Sequence, residues 1–284
     1  MSVTPGAGAS PGSGEGRVAR FWDERAARYD GHYDASGPDG YSLRARLALT
    51  LRLVGEGPGA VLDPGMGAGR LCEALARRRW TVFGVDMSGE MVALARERIP
   101  DARERLVQAS VEDLPFPDAS FDTIAATGVL EYTDVPRALA ELARVLRPGA
   151  SAVVSYPNPT ALYALWKTRI WYPALSPAKR LLRRPHAAAP KGGPALAASR
   201  FTKALETAGL RVESVHHTGY LVLPAPLDDL FPGLATRLGR RLEGSGPRLG
   251  RVLATQVLYV SRKPSPTVDG SASPADDVEE GADR

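Results

Sequence analysis

The sequence predicts an α/β domain in which a largely parallel sheet carries helices on both faces. Three observations predict it. Short apolar runs alternate with amphipathic runs of 10–13 residues between positions 60 and 156, and parallel neighbours need crossover helices of that kind. The chain has 284 residues, 44% of them hydrophobic, which is enough for a sizeable core. The first apolar run ends in the glycine-rich bend VLDPGMGAG and passes directly into a helical pattern, as at the open end of a doubly wound sheet.

Taken in order, residues 18–30 and 41–54 read as helices, the second with Leu43, Leu47, Leu51 and Val54 along one face. Residues 60–63 form a short strand ending in an acid, and 70–79 a helix. Strand 81–86 (TVFGVD) leads into helix 88–99, with Ser88 as its N-cap. Residues 105–108 and 121–127 are strands three and four. Helix 134–146 stops at Pro148–Gly149, and 151–156 is strand five. Helix 199–208, strand 210–217 and strand 252–262 complete a folded body of 17–263. Two stretches interrupt the rhythm, 157–198 and 219–250, and are expected to form a variable cap. Residues 1–16 and 264–284 lack the apolar content to offset ordering entropy and are expected to be disordered tails, the second acidic.

Composition narrows the chemistry. A single cysteine, Cys72, leaves no disulfide framework and no cysteine-based metal site, and no metal is expected. No apolar run approaches the ~18–20 residues of a spanning helix. MSVTPGAGAS lacks the basic-then-apolar signature of a secretory signal, so a cytoplasmic location is expected. Residues 17–263 hold 35 basic and 25 acidic residues. The arginines are scattered, as on solvated helix faces, and a nucleic-acid partner is not favoured.

The chemistry-bearing residues cluster at predicted strand ends. Gly65, Gly67 and Gly69 let the backbone turn sharply beside a ligand, and the helix that follows offers free N–H groups. A dinucleotide fingerprint would want Gly or Ala where Arg70 stands. Asp63 ahead of the glycines suits a cationic amine better than a pyrophosphate. Asp86, ending strand two, can accept hydrogen bonds from both hydroxyls of a ribose. A turn at 110–118 could set Ser110 and the Val111 N–H against an adenine edge.

The series VLDPGMGAG, GVDMS, SVEDLPFPDASFDTI, GVLEY and RVLRPGA resembles the class I S-adenosylmethionine-dependent methyltransferases. It is most similar to their small-molecule, ubiquinone/menaquinone-type branch. The motifs span about residues 60–156, with weaker likeness at FWDERAARYD and FTKALETAGLRVES. The resemblance implies a Rossmann-like, doubly wound seven-stranded sheet, mostly parallel with the last strand antiparallel. It implies S-adenosyl-L-methionine as cofactor. Asp63, Gly65 and Gly67 would border its amino-acid end, Asp86 the ribose, and Met87, Val111 and Glu112 the adenine, with Thr127 and Gly128 under the methionine part. Met66 and Ser110 depart from the pattern, which has a small residue and an Asp there.

The reaction implied is methyl transfer to a small organic, biosynthetic acceptor. RNA or protein methylation, and a silent cofactor-binding subunit, are the alternatives. Candidate bases are His216 and His217 near the tip of strand six and His32 in the N-terminal helical region. Tyr132, beside Glu131, could orient a hydroxyl. Residues 159–184 mix Trp166, Trp171, Tyr163 and Tyr172 with Lys and Arg. They suit a substrate lid first, a membrane-surface helix second, or a homodimer contact.

Overall fold

The computed structural model describes residues 14–174 and 195–265. Most of both expected tails, and 175–194 of the first cap stretch, lie outside the described residues.

Three helices precede the sheet: α1 (Gly14–Asp23), α2 (Ala26–His32) and α3 (Pro38–Val54). Residues 14–16 are therefore helix, a correction to the expected tail. The expected single helix over 18–30 is two, broken at Glu24–Arg25. Then come β1 (Ala60–Pro64), α4 (Arg70–Ala76), β2 (Thr81–Asp86), α5 (Gly89–Arg98), β3 (Leu106–Gln108) and β4 (Phe121–Ala126). The chain continues through α6 (Val135–Val145), β5 (Leu146–Pro157), α7 (Leu162–Trp166), α8 (Ala198–Thr207) and β6 (Arg211–Tyr220). It ends with α9 (Leu227–Leu230), α10 (Pro232–Leu242), α11 (Pro247–Leu253) and β7 (Ala254–Arg262).

The seven strands lie in the order β3-β2-β1-β4-β5-β7-β6. β7 runs antiparallel to both neighbours, and every other pair is parallel. The doubly wound sheet read from the sequence is thus the observed one. Its two faces follow from strand alternation. On β1, Leu62 turns to a core with Phe83, Ile124, Leu139 of α6 and Phe201 of α8. Val61 turns to the other core, with Leu71, Leu75 and Val92 of α4 and α5. Leu47, Leu51 and Val54 of α3 pack on that second core as their spacing predicts. Ser88 caps α5 by accepting from Met91 N at 3.1 Å, and Asp134 caps α6 by accepting from Arg137 N at 3.2 Å.

The stretch 219–250, expected to be irregular, is mostly the three helices α9–α11. Its short helices are punctuated by Pro226, Pro232, Pro247 and Gly244–Gly246, and such punctuation hides helical periodicity. It is tied to the body by Glu243, which accepts from Tyr41 Oη at 2.6 Å, Thr218 Oγ1 at 2.9 Å and Gly219 N at 3.0 Å.

Candidate active site

β1 delivers Asp63 to the sheet's carboxyl edge, and the chain then has to turn into α4 without leaving β2. Gly65 N and Met66 N both donate to Val85 O, at 2.7 and 3.0 Å. Gly65 turns with φ +77°, and a Cβ there would lie 2.5 Å from Val129 Cβ, so glycine is required twice over. Met66, bulky for its place, fits because Gly84 of β2 offers no side chain: a Cβ on Gly84 would meet Met66 Sδ at 2.3 Å. Gly67 turns with φ +53° and its N–H donates to Asp86 Oδ2 at 2.9 Å. The glycine bend and the second carboxylate are therefore one hydrogen-bonded unit.

Asp86 Oδ1 also accepts from Ser88 N at 2.9 Å. Each carboxylate oxygen keeps a lone pair for a further donor. Burial pushes Asp86 up to about 6 against those two backbone donors, and nearby Asp23 adds to the rise. Asp63 is 1% exposed. Burial pushes it up to about 7; the Cys72 thiol, which donates to its Oδ2 at 3.3 Å, works the other way, Asp86 raises it and Arg46 lowers it.

These groups line a cavity at the carboxyl edge of the sheet, concave and mostly apolar with a few convergent polar groups, as small-molecule sites are. Toward β3 its walls are apolar: Met87, Met91, Ala109 and Val111. Toward β4 stand Thr127, Gly128 and the buried Arg46 of α3. A Cβ on Gly128 would lie 2.8–2.9 Å from the Arg46 guanidinium, so the backbone there hugs the cation. Burial opposes the charge on Arg46, but Tyr29, Tyr33 and Glu131 around it outweigh burial and hold it charged. Tyr29 shares a hydrogen bond with Arg46, and burial pushes its phenol up to about 12.

Helices α1 and α2 roof the cavity with Val18, Trp22, Tyr29 and Tyr33. Trp22 meets Tyr29 and Tyr132 edge-on, at 5.1 and 5.3 Å between centroids. The roof is latched at three places. Glu15 accepts from Ser110 Oγ at 2.9 Å. Asp23 accepts from Ser88 Oγ at 2.6 Å. Asp30 joins Arg70 and Arg98 at 2.7 and 2.8 Å.

Asp63, Gly65, Gly67, Asp86, Met87, Val111, Thr127 and Tyr132 thus meet around one cavity. Other sequence-predicted residues lie outside the cavity's lining. Ser110 is engaged by Glu15 and does not line the cavity. Glu112 accepts from Asp134 N at 2.8 Å and pairs with Arg137 at 3.1 Å, so it braces the start of α6. Gly69 leads α4 at φ +80° and gives Ala95 of α5 room to pack, a Cβ there lying 2.9 Å from Ala95 Cβ. His32 sits beside Tyr29 at 6.2 Å between rings, outside the cavity lining. His216 and His217 lie on β6, at the sheet edge beyond β5 and β7. His216 Nε2 bonds Ser214 Oγ at 2.9 Å, and His217 packs on Gly250 of α11. Neither lines the cavity. Tyr132 does, and burial raises its phenol pKa, so it stays a donor rather than a base.

Arg46, Trp22 and Asp23 were not singled out by the sequence. A charge at position 46, on the same helix face as buried Leu49 and Thr50, was the one available signal for the first.

Residues 62–154 match the family described as methyltransferase domain. The likeness to a methyltransferase domain thus covers about a third of the chain, the stretch from β1 to β5 that builds the cavity's floor. The chain is 40% identical over 117 residues to a 2-phytyl-1,4-naphtoquinone methyltransferase of Trichormus variabilis, covering 37% of this chain and 50% of that protein. It is 34% identical over 155 residues to a ubiquinone/menaquinone biosynthesis C-methyltransferase of Hahella chejuensis, covering 51% and 62%. The chain thus spans half to under two-thirds of these relatives' length. Among solved structures, the fold matches a chain from the complex of the Haloferax volcanii Trm112 methyltransferase activator, with TM-score 0.60 and 24% identity over 87% of this chain and 97% of that one. It also matches a geranyl diphosphate C-methyltransferase of Streptomyces coelicolor bound to S-adenosyl-L-homocysteine, with TM-score 0.57 and 15% identity over 90% and 100%.

Proposed function

We propose that this protein transfers a methyl group from S-adenosylmethionine to a small quinone-type biosynthetic acceptor. The observation that carries the reading is the pairing of a buried cation, Arg46, with a buried carboxyl, Asp63, at one end of a cavity whose other end holds Asp86 and apolar walls. A zwitterionic amino acid joined to a nucleoside has that polarity. Its carboxylate is drawn to Arg46 and its ammonium to Asp63. The free lone pairs of Asp86 accept two ribose hydroxyls. Met87, Met91 and Val111 supply the apolar slot for a purine. When bound, the cofactor supplies a methyl group activated by a sulfonium, open to in-line displacement.

The chain's own contribution is placement and dryness. The roof of Trp22 and Tyr29, with Tyr132, excludes water and offers aromatic edges to a flat ring. Holding acceptor and donor within ~3–3.5 Å can contribute ~7–11 kcal/mol to lowering the barrier. The phenols of Tyr29 and Tyr132 remain protonated at neutral pH and orient an acceptor oxygen by donating to it. The quinone class rests on the relatives above, and the aromatic roof supports it.

Calorimetric titration of the purified chain tests the cofactor half. S-adenosylmethionine and S-adenosylhomocysteine should bind, and NAD should not. Incubation with demethylated naphthoquinols tests the acceptor half by mass gain of one methyl and release of S-adenosylhomocysteine. NAD binding in place of adenosylmethionine would overturn the proposal.

A further inference from the structure

We propose that the described residues of the two cap segments form a docking surface for an anionic lipid bilayer. Among the described residues, nine of the eleven exposed large hydrophobic side chains fall in these segments, and Val252 lies just past the second. Leu162, Ile170 and Tyr172 come from the first, at 55, 51 and 42% exposure. Leu230, Phe231 and Leu234 come from the second, at 65, 55 and 47%. A monomeric protein rarely concentrates its exposed apolar area in this way without something to cover it.

The two segments are stapled together. Tyr163 donates its hydroxyl to the buried Asp228. Trp166 Nε1 donates to Ala225 O at 2.9 Å. α7 also packs against α11. On α10, Ala235, Thr236 and Gly239 face inward while Leu234, Arg237 and Arg241 share the outer face. α11 repeats the arrangement, with Leu249 and Val252 exposed between Arg248 and Arg251.

Charge decides the occupant. The outer positions of α10 and α11 carry five exposed arginines and no exposed acid. Lys167 and Arg169 extend the basic ring along the first segment. Of the nearby acids, Asp228 is buried on Tyr163 and Glu243 is spent on Tyr41, Thr218 and Gly219, which leaves Asp229 and Asp39 against seven basic residues. Apolar side chains set among arginines match the two layers of an anionic membrane surface, acyl boundary and headgroup. A second copy of the chain would bring arginine against arginine.

The surface adjoins the roof of the cavity. Thr236 Oγ1 of α10 donates to Ser36 O at 3.3 Å, and the Tyr41 ring abuts Gly239. That loop follows Tyr33, which lines the cavity. Resting on the transfer reading above, the docking surface places the site beside a bilayer that holds a lipid-tailed acceptor.

The test is cosedimentation of the full chain with vesicles of phosphatidylcholine alone, or with one-third phosphatidylglycerol. Wild type should bind the anionic vesicles, with affinity falling about tenfold or more without phosphatidylglycerol or in high salt. Leu230→Asp with Phe231→Asp should lose binding at least tenfold, and so should Arg237→Gln with Arg241→Gln. Both double variants should keep the wild-type S-adenosylmethionine titration, which shows them folded. Absence of wild-type binding to anionic vesicles, or equal binding by both double variants, would overturn the proposal. So would a concentration-dependent dimer in light scattering that the apolar variant abolishes. Failure of the cofactor titration in wild type, with vesicle binding intact, would instead strike the transfer reading.

Discussion

The β3-β2-β1-β4 half of the sheet and the β5-β7-β6 half with its cap obey different kinds of constraint. In the first, single atoms decide. Gly65 has Val129 2.5 Å from where a Cβ would stand, Gly67 must present its N–H to Asp86, and Asp86 must accept two backbone donors while keeping lone pairs free. Few residue types satisfy such conditions. In the second half the task is to cover an apolar edge and hold three short helices, and many sequences can do that. Function that depends on backbone geometry leaves a readable trace. Function that depends on a surface's average character leaves little.

The largest expected effect is at Arg46, the cavity's buried cation. Arg46→Met removes a charge that Tyr29 and Glu131 are arranged around, and breaking a buried pairing costs about 3–5 kcal/mol. Thermal denaturation measures that loss. A second measurement separates stability from binding. Affinity for S-adenosylmethionine should fall much further than affinity for 5′-methylthioadenosine, which lacks the amino-acid part. A parallel fall in both would remove Arg46 from the amino-acid end.

Asp86→Ala comes next. It removes the acceptor for Gly67 N and Ser88 N as well as for ligand hydroxyls. Adenosylmethionine affinity should drop by about 1–3 kcal/mol, roughly five- to 150-fold by calorimetry. Unchanged affinity would separate the glycine bend from ribose recognition.

Asp63 gives a pH signature. With Asp63 near 7 and Asp86 near 6, against 3.8 as the ordinary value, the folded chain holds protons that the unfolded chain has already released. Between about pH 4 and 7 the native state binds more protons, so these two groups make stability fall as pH rises. A bound ammonium favours the ionised form of Asp63 and reverses the preference. Cofactor affinity should therefore strengthen from pH 5.5 to pH 8 with release of protons, read by calorimetry in buffers of different ionisation enthalpy. Asp63→Asn should flatten that slope and weaken binding. A slope unchanged by the substitution would assign the protons elsewhere.

The two halves were also unequally legible in the sequence. The order of β1 to β5, the glycine bend, Asp63 and Asp86 could be read because strand alternation and turn chemistry are local. Ser110 and Glu112 lie in the same readable stretch, where the resemblance points them at adenine. The partners that occupy them come from elsewhere: Glu15 from α1, 95 residues away, and the start of α6. Arg46 is not legible because α3 is buried on more than one face, so its Leu43–Leu47–Leu51 stripe conceals a second buried line of Arg46, Leu49 and Thr50, from which Arg46 reaches the cavity. The three helices of 219–250 were obscured by their own prolines and glycines.

His216 and His217 show what strand order adds. Both stand near the tip of a strand, where a local rule places substrate. β7, last in sequence, inserts between β5 and β6 and carries the pair to the edge. Burial lowers both pKa values, with Arg52 beside His216 and Arg251 beside His217 adding to it. Both are neutral at pH 7. As pH falls below 6.5 the unfolded chain takes up protons that the folded edge refuses, so this half loses stability toward acid while the carboxyls of the other half gain it. His216→Gln with His217→Gln should leave methyl transfer within about twofold of wild type, as substitutions away from a site do. Its stability profile should differ from wild type only on the acid side of 6.5. Loss of turnover, with one limb of the pH–rate profile gone, would bring the edge back to the site and dissolve the contrast between the halves.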